Sequence, residues 1–104
     1  MIFRAKRRYI LVRSSAPINA ITIQYRLGDS LLSFMGAEEY ANAMPKVVKQ
    51  MDDNTFIMRV NRGSERKLVL ALSFIKNLGS GPLGFYTLRT SGSIAALLRK
   101  SGMG

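Results

Sequence analysis

The chain has 104 residues, 47 % of them apolar, which is enough for one domain that buries roughly two thirds of its unfolded surface. Sixteen Lys and Arg against six Asp and Glu give a formal charge of +10, a balance that points to nucleic acid or an anionic surface as partner. Zero cysteine and zero histidine exclude disulfides, thiolate zinc ligands, thiol nucleophiles and the commonest general base, so no autonomous catalysis is expected.

The opening run from Met1 to Arg8 is a basic arm, expected to be flexible through residue 6. It has no apolar stretch before a cleavage site and does not read as a secretory signal. Arg7 to Ser14, rich in β-branched and aromatic residues, predicts the first strand. Pro17 suits a first helical turn, and Ile18, Ile21, Tyr25, Leu32 and Met35 keep helical spacing to about Gly36. One long helix is the preferred reading. Ile21, Ile23, Tyr25 and Leu27 also alternate, so a strand followed by a helix Asp29 to Met35 is the alternative.

Glu38 to Met44 adds a helical turn that Pro45 stops. Lys46 to Met51 and Thr55 to Asn61 flank a solvated Asp52-Asp53-Asn54 turn and read as a hairpin. Ser64 and Glu65 supply a cap and a first-turn acid for a helix to about Asn77. The Gly79-Ser80-Gly81-Pro82 loop follows, then a strand Phe85 to Thr90 and a helix Ser93 to Lys100, with residues 101–104 expected to be flexible. The order is that of a ferredoxin-like, RRM-like α+β domain: an antiparallel β-α-β-β-α-β sheet, helices on one face and an extra C-terminal helix. Residues 1–104 form one domain in this reading.

The cations cluster. Arg4, Lys6, Arg7, Arg8 and Arg13 crowd the start, Arg59, Arg62, Arg66 and Lys67 straddle the hairpin end and the next helix, and Arg89, Arg99 and Lys100 lie near the close. Contact with phosphates is the functional reading, and a solvated basic surface is the bland one. Arg99 and Lys100 also suit a helix C-terminus without any ligand. Thr90-Ser91-Gly92-Ser93 reads either as an anion nest or as a small-residue helix cap. Base stacking in the manner of an RNA-recognition motif is not expected, because Tyr9 and Phe56 are the only aromatics on the central strands and the Gly-aromatic pattern is missing. Apolar residues on both alternating sets of these strands instead predict a sheet covered on both faces, by the last helix or a protein partner. No apolar run is long enough to span a membrane.

Three blocks carry a resemblance: Lys6 to Val12, Phe56 to Gly63, and Thr87 to Ile94. Together they resemble the archaeal Pop-type subunit of ribonuclease P, the family called protein component two. Ser91-Gly92-Ser93-Ile94 stands where that family carries Ser-Gly-Thr-Ile, which keeps a hydroxyl at the cap, whereas Ile21-Thr22-Ile23 departs from its helix-forming run. The resemblance implies a cytoplasmic, non-catalytic subunit of a ribonucleoprotein endonuclease. The RNA, with Mg2+ bound to it rather than to this protein, would remove the 5′ leader of precursor tRNA. It implies ribonuclease P RNA as partner, precursor tRNA as the substrate of the complex, and the barrel-shaped component three in a two-plus-two heterotetramer. A ribosomal or messenger-RNA-binding module and a protein-interaction adaptor are the alternatives. The RNA-facing set is then Lys6, Arg7, Arg8, Arg13, Arg59, Arg62, Arg66, Lys67, Arg89, Ser91, Gly92, Ser93, Arg99 and Lys100.

Overall fold

A computed structural model describes residues 6–78 and 81–100; most of the opening arm, Gly79 and Ser80 of the loop, and the tail 101–104 lie outside the described residues. Eight elements follow in chain order: β1 (Arg7–Ser14), α1 (Gln24–Met35), α2 (Ala37–Ala43), β2 (Lys46–Gln50), β3 (Thr55–Asn61), α3 (Glu65–Phe74), β4 (Phe85–Ser91) and α4 (Ile94–Lys100). The sheet order is β2-β3-β1-β4, antiparallel at every pairing. This is the expected split βαβ architecture.

Because successive strand residues point to opposite faces, each central strand serves two cores. Ile10, Val12, Phe56, Met58 and Val60 meet Leu27, Leu31, Leu68 and Leu72 beneath α1 and α3. Phe56 and Phe85 pack edge to face there, with ring centroids 5.9 Å apart. On the opposite, outer face Leu11 and Ile57 are sealed by Leu97 of α4, with Tyr9, Val48, Ile94 and Leu98 around them. The last helix therefore covers the second sheet face, one of the two coverings that the doubly apolar strands predicted.

The long first helix is not formed. Residues 20–23 make a turn and α1 starts only at Gln24. Tertiary partners take up the backbone groups that a helix would have used. Ile18 N–H donates to the Asp53 carbonyl (2.8 Å), Ala20 N–H donates to Gln50 Oε1 (2.8 Å), and Gln50 Nε2 donates to the Ile18 carbonyl (3.1 Å). With β-branched Ile21, Thr22 and Ile23 weakening helix propensity, this pinned segment wins. The alternative strand over the same residues is not formed either.

The next helical stretch runs as expected: Gly36 (φ 85°) separates α1 from α2, and α2 ends on Met44 in the left-handed region just before Pro45. In α3, Ser64 holds the cap position without a side-chain cap bond. Glu65 Oε1 instead accepts from Gly63 N–H at 2.7 Å. The helix stops at Phe74, short of Asn77, because Ile75 turns extended (ψ 124°) and the chain buries Ile75, Leu78 and Leu83 in the inner core. The Leu83 N–H returns to the Lys76 carbonyl at 2.8 Å. Asp52-Asn54 is the expected turn, with Asn54 N–H donating to Asp52 Oδ1 at 2.8 Å. That bond is the largest of the influences that hold the Asp52 carboxyl below its ordinary range; Thr55 adds to it, and the charge of Arg13 contributes least.

Candidate nucleic-acid interface

Antiparallel pairing brings three sequence-distant segments to one end of the sheet. Arg7 opposes Asn61 in the β1–β3 register, and Arg62 N–H donates to the Lys6 carbonyl at 2.7 Å, so Lys6 and Arg7 run beside the β3–α3 loop. Ser91 opposes Tyr9, which brings the β4–α4 turn alongside. The Arg8 guanidinium lies so near Gly92 that a Cβ there would sit 3.6 Å from Nη1. Arg66 joins the same end, since it lines a groove with Thr90 near the end of β4.

The cations of this end differ in how free they are. Arg8 Nε lies 3.7 Å from Glu65 Oε2, a part-exposed pair of small energetic worth. Lys67 Nζ bonds Glu39 Oε2 at 2.7 Å and so braces α3 against α2. Among the described residues Lys6, Arg7, Arg62 and Arg66 form no ion pair with a carboxylate, and all four are exposed. Unpaired, solvated cations are the ones able to exchange counterions for phosphates.

In the 91–93 turn, Ser93 Oγ accepts from Ala96 N–H at 3.1 Å, which is the capping role. Ser91 is 5 % exposed and belongs to the strand. Gly92 and Ser93 remain exposed beside Arg8.

The other predicted residues spread along the outer face. Arg59 opposes Tyr9, and Arg89 opposes Leu11. Arg13 pairs with Thr55 and Tyr86 at the far end of the sheet, about 20 Å along β1 from Arg7 at the usual rise per residue. Arg13 and Arg59 thus share a face without sharing a place. Arg99 is exposed on α4, and Lys100 is its last residue.

Among the described residues four cations lie outside the set read from the sequence, Arg26, Lys46, Lys49 and Lys76; on the sheet, Lys46 opposes Arg59 and Lys49 opposes Ile57. Lysines on a short edge strand also serve to block unwanted strand pairing. Lys46 and Lys49 stand three residues apart and reach alternate partners on β3 only through the register shift between Val47 and Lys49, so no simple alternation in the sequence points to them. Phe56 is fully buried under the helices, so it offers no stacking surface, as its sequence context suggested. Among the described residues no group of three or more His, Cys, Asp or Glu could hold a metal ion, and no helix is long and apolar enough to cross a membrane.

The fold is that of a small split-βαβ protein in which Lys6, Arg7, Arg62 and Arg66 are exposed at one sheet end while further exposed cations spread over the outer face, a surface suited to a polyanion. The Rpp14/Pop5 family matches residues 8–101, and this chain belongs to that family. It is 33 % identical over 99 residues to ribonuclease P protein component 2 of Methanocorpusculum labreanum, covering 93 % of this chain and 67 % of that protein. The protein of the same name from Methanoculleus marisnigri is 30 % identical over 100 residues, covering 93 % and 62 %. The chain therefore spans about two thirds of the length of these relatives. Its fold also matches a chain in the cryo-EM structure of yeast ribonuclease MRP, with TM-score 0.67 at 16 % identity over 98 % of this chain and 92 % of that one.

Proposed function

We propose that this chain is the non-catalytic protein component two of a ribonuclease P, binding and bracing the catalytic RNA while that RNA removes the 5′ leader of precursor tRNA. The observation that carries the reading is the convergence of Lys6, Arg7, Arg8, Arg62 and Arg66 with the Gly92-Ser93 turn at one end of the sheet, in a chain of the Rpp14/Pop5 family. Cations held on a rigid sheet end reduce phosphate repulsion between RNA segments. Less repulsion lets the RNA hold its fold, and its own Mg2+, at lower magnesium.

A protein partner belongs to the proposal. Phe34 and Phe74 stack with ring centroids 5.8 Å apart on the helix layer, yet both remain about half exposed, as does Leu70 beside them. This surface suits the barrel-shaped component three, with two copies of each protein in the assembly. The cytoplasm is the proposed location, where precursor tRNA is processed.

Reconstitution tests the function. Adding the protein with ribonuclease P RNA and component three lowers the magnesium concentration needed to cleave precursor tRNA. An unchanged magnesium dependence refutes the bracing role, and cleavage by the protein alone refutes its non-catalytic standing.

A further inference from the structure

At the sheet end opposite the cationic cluster, Arg13, Ser14, Ser15, Asp52, Asp53, Asn54 and Tyr86 line an open cavity of about 750 Å3. Its walls are fixed. Ser14 N–H donates to the Asn54 carbonyl at 2.7 Å, and Ser14 Oγ and Asn54 Nδ2 tie the same strands together. The Asp53 carbonyl is held by Ile18 N–H. Gln50 Nε2 reaches the Asp52 carbonyl as well.

Three chemistries meet on these walls. Tyr86 is 58 % exposed, a large aromatic left in water directly opposite Arg13 in the β1–β4 register. Among the described residues the Asp53 side chain has no hydrogen-bond or ion-pair partner, while Asp52 Oδ1 is committed to the Asn54 N–H. The side chains of Tyr86 and Asp53 are exposed and lie outside both cores.

We propose that this cavity takes an unpaired guanine nucleotide of the bound RNA, its base stacked on Tyr86, its Watson–Crick edge donating to the Asp53 carboxylate, and its phosphate facing Arg13. The site deepens the RNA-binding function proposed above and rests on it. The base is selected by donor arithmetic. An ionised carboxylate accepts only, and guanine alone presents two adjacent donors, N1–H and N2–H, on that edge. Adenine and cytosine set one amino group beside an acceptor, and uracil flanks its N–H with two carbonyl oxygens that a carboxylate repels. Stacking on an aromatic ring supplies affinity, and the polar edge supplies the choice of base, as in other single-strand readers.

The test titrates the intact protein, labelled with 15N, with guanosine 5′-monophosphate and, in parallel, with the adenosine, cytidine and uridine monophosphates. Guanosine monophosphate is expected to shift the amides of Asp53, Asn54 and Tyr86 and to bind at least about five-fold tighter than the other three, the low end of what one stacked and hydrogen-bonded base contributes. Tyr86→Ala and Asp53→Asn each weaken it at least about five-fold, whereas Tyr86→Phe retains the stacking and most of the affinity. Equal binding of all four nucleotides, shifts confined to the Arg7–Arg62 end, or indifference to both variants overturns the site. Mononucleotide binding is independent of ribonuclease P reconstitution, so failure of the guanine site and failure of the proposed function are told apart.

Discussion

The two ends of β1 lie in one sheet and are built for different tasks. At its start Lys6, Arg7 and Arg8 meet Arg62 and the Gly92-Ser93 turn, and the single carboxylate among them, Glu65, is taken up by Arg8 and the Gly63 N–H. At its finish Arg13 faces Tyr86 and an acidic turn whose backbone is tied down by several hydrogen bonds. One end offers diffuse positive charge, which recognises any phosphate chain. The other offers a ring, a carboxylate and one cation, the set through which the proposed guanine site would discriminate among bases. A uniform distribution of the +10 charge would have given affinity without any such division.

The largest effect tests what holds both ends to the same platform. Leu97→Ala removes the side chain with which α4 seals Leu11 and Ile57, and is expected to cost about 2–5 kcal/mol of stability. Chemical denaturation measures that loss, and amide exchange at Leu11 and Ile57 rises with it. If those amides stay protected, α4 is not what covers the outer face.

The next variant separates the ends directly. Replacing Arg7 and Arg8 together by Ala is expected to lower the slope of log affinity against log salt for RNA by about two, one per lost phosphate contact. Tyr86→Ala in the same assay leaves the slope unchanged. Equal slopes in all three proteins would erase the distinction between the ends.

Two smaller changes sharpen it. Ser93→Ala removes the acceptor of the Ala96 N–H and costs about 1 kcal/mol, whereas Ser93→Thr keeps the hydroxyl and restores the stability. RNA affinity lost in Ser93→Ala beyond what unfolding explains would give that hydroxyl a second, RNA-facing role. Asp52→Asn has the smallest effect. The folded-state pKa of Asp52 is lowered, so its ionised form adds stability at neutral pH that disappears as the pH falls through that depressed value. The variant is therefore slightly less stable than the parent near pH 7, and the difference closes in acid.

Much of this was legible in the residues. β1 and β3 have the predicted bounds because β-branched runs between polar breaks leave little choice. Leu11 and Ile57, apolar where a one-sided sheet would be polar, announced the second covering. The failures are tertiary in origin. Residues 18–23 keep a helical pattern, but Gln50 and Asp53, some thirty residues away, claim their backbone groups. The end of α3 is set by where Ile75 and Leu78 find the core. For the basic surface, clustering in sequence did not say which clusters meet; the pairing of β1 with β3 brings Arg7 beside Asn61 and the β3–α3 loop. Arg13 looked like part of the same cluster only because six residues are close in sequence and far apart along a strand.

Hydrogen exchange of the protein free and bound to ribonuclease P RNA tests the central claim most directly. The account predicts slowed exchange at residues 6–9, 61–66 and 91–94, with the surface around Phe34 and Phe74 unchanged until a protein partner is added. Protection concentrated on α1 and α2, with none at 61–66, would contradict it.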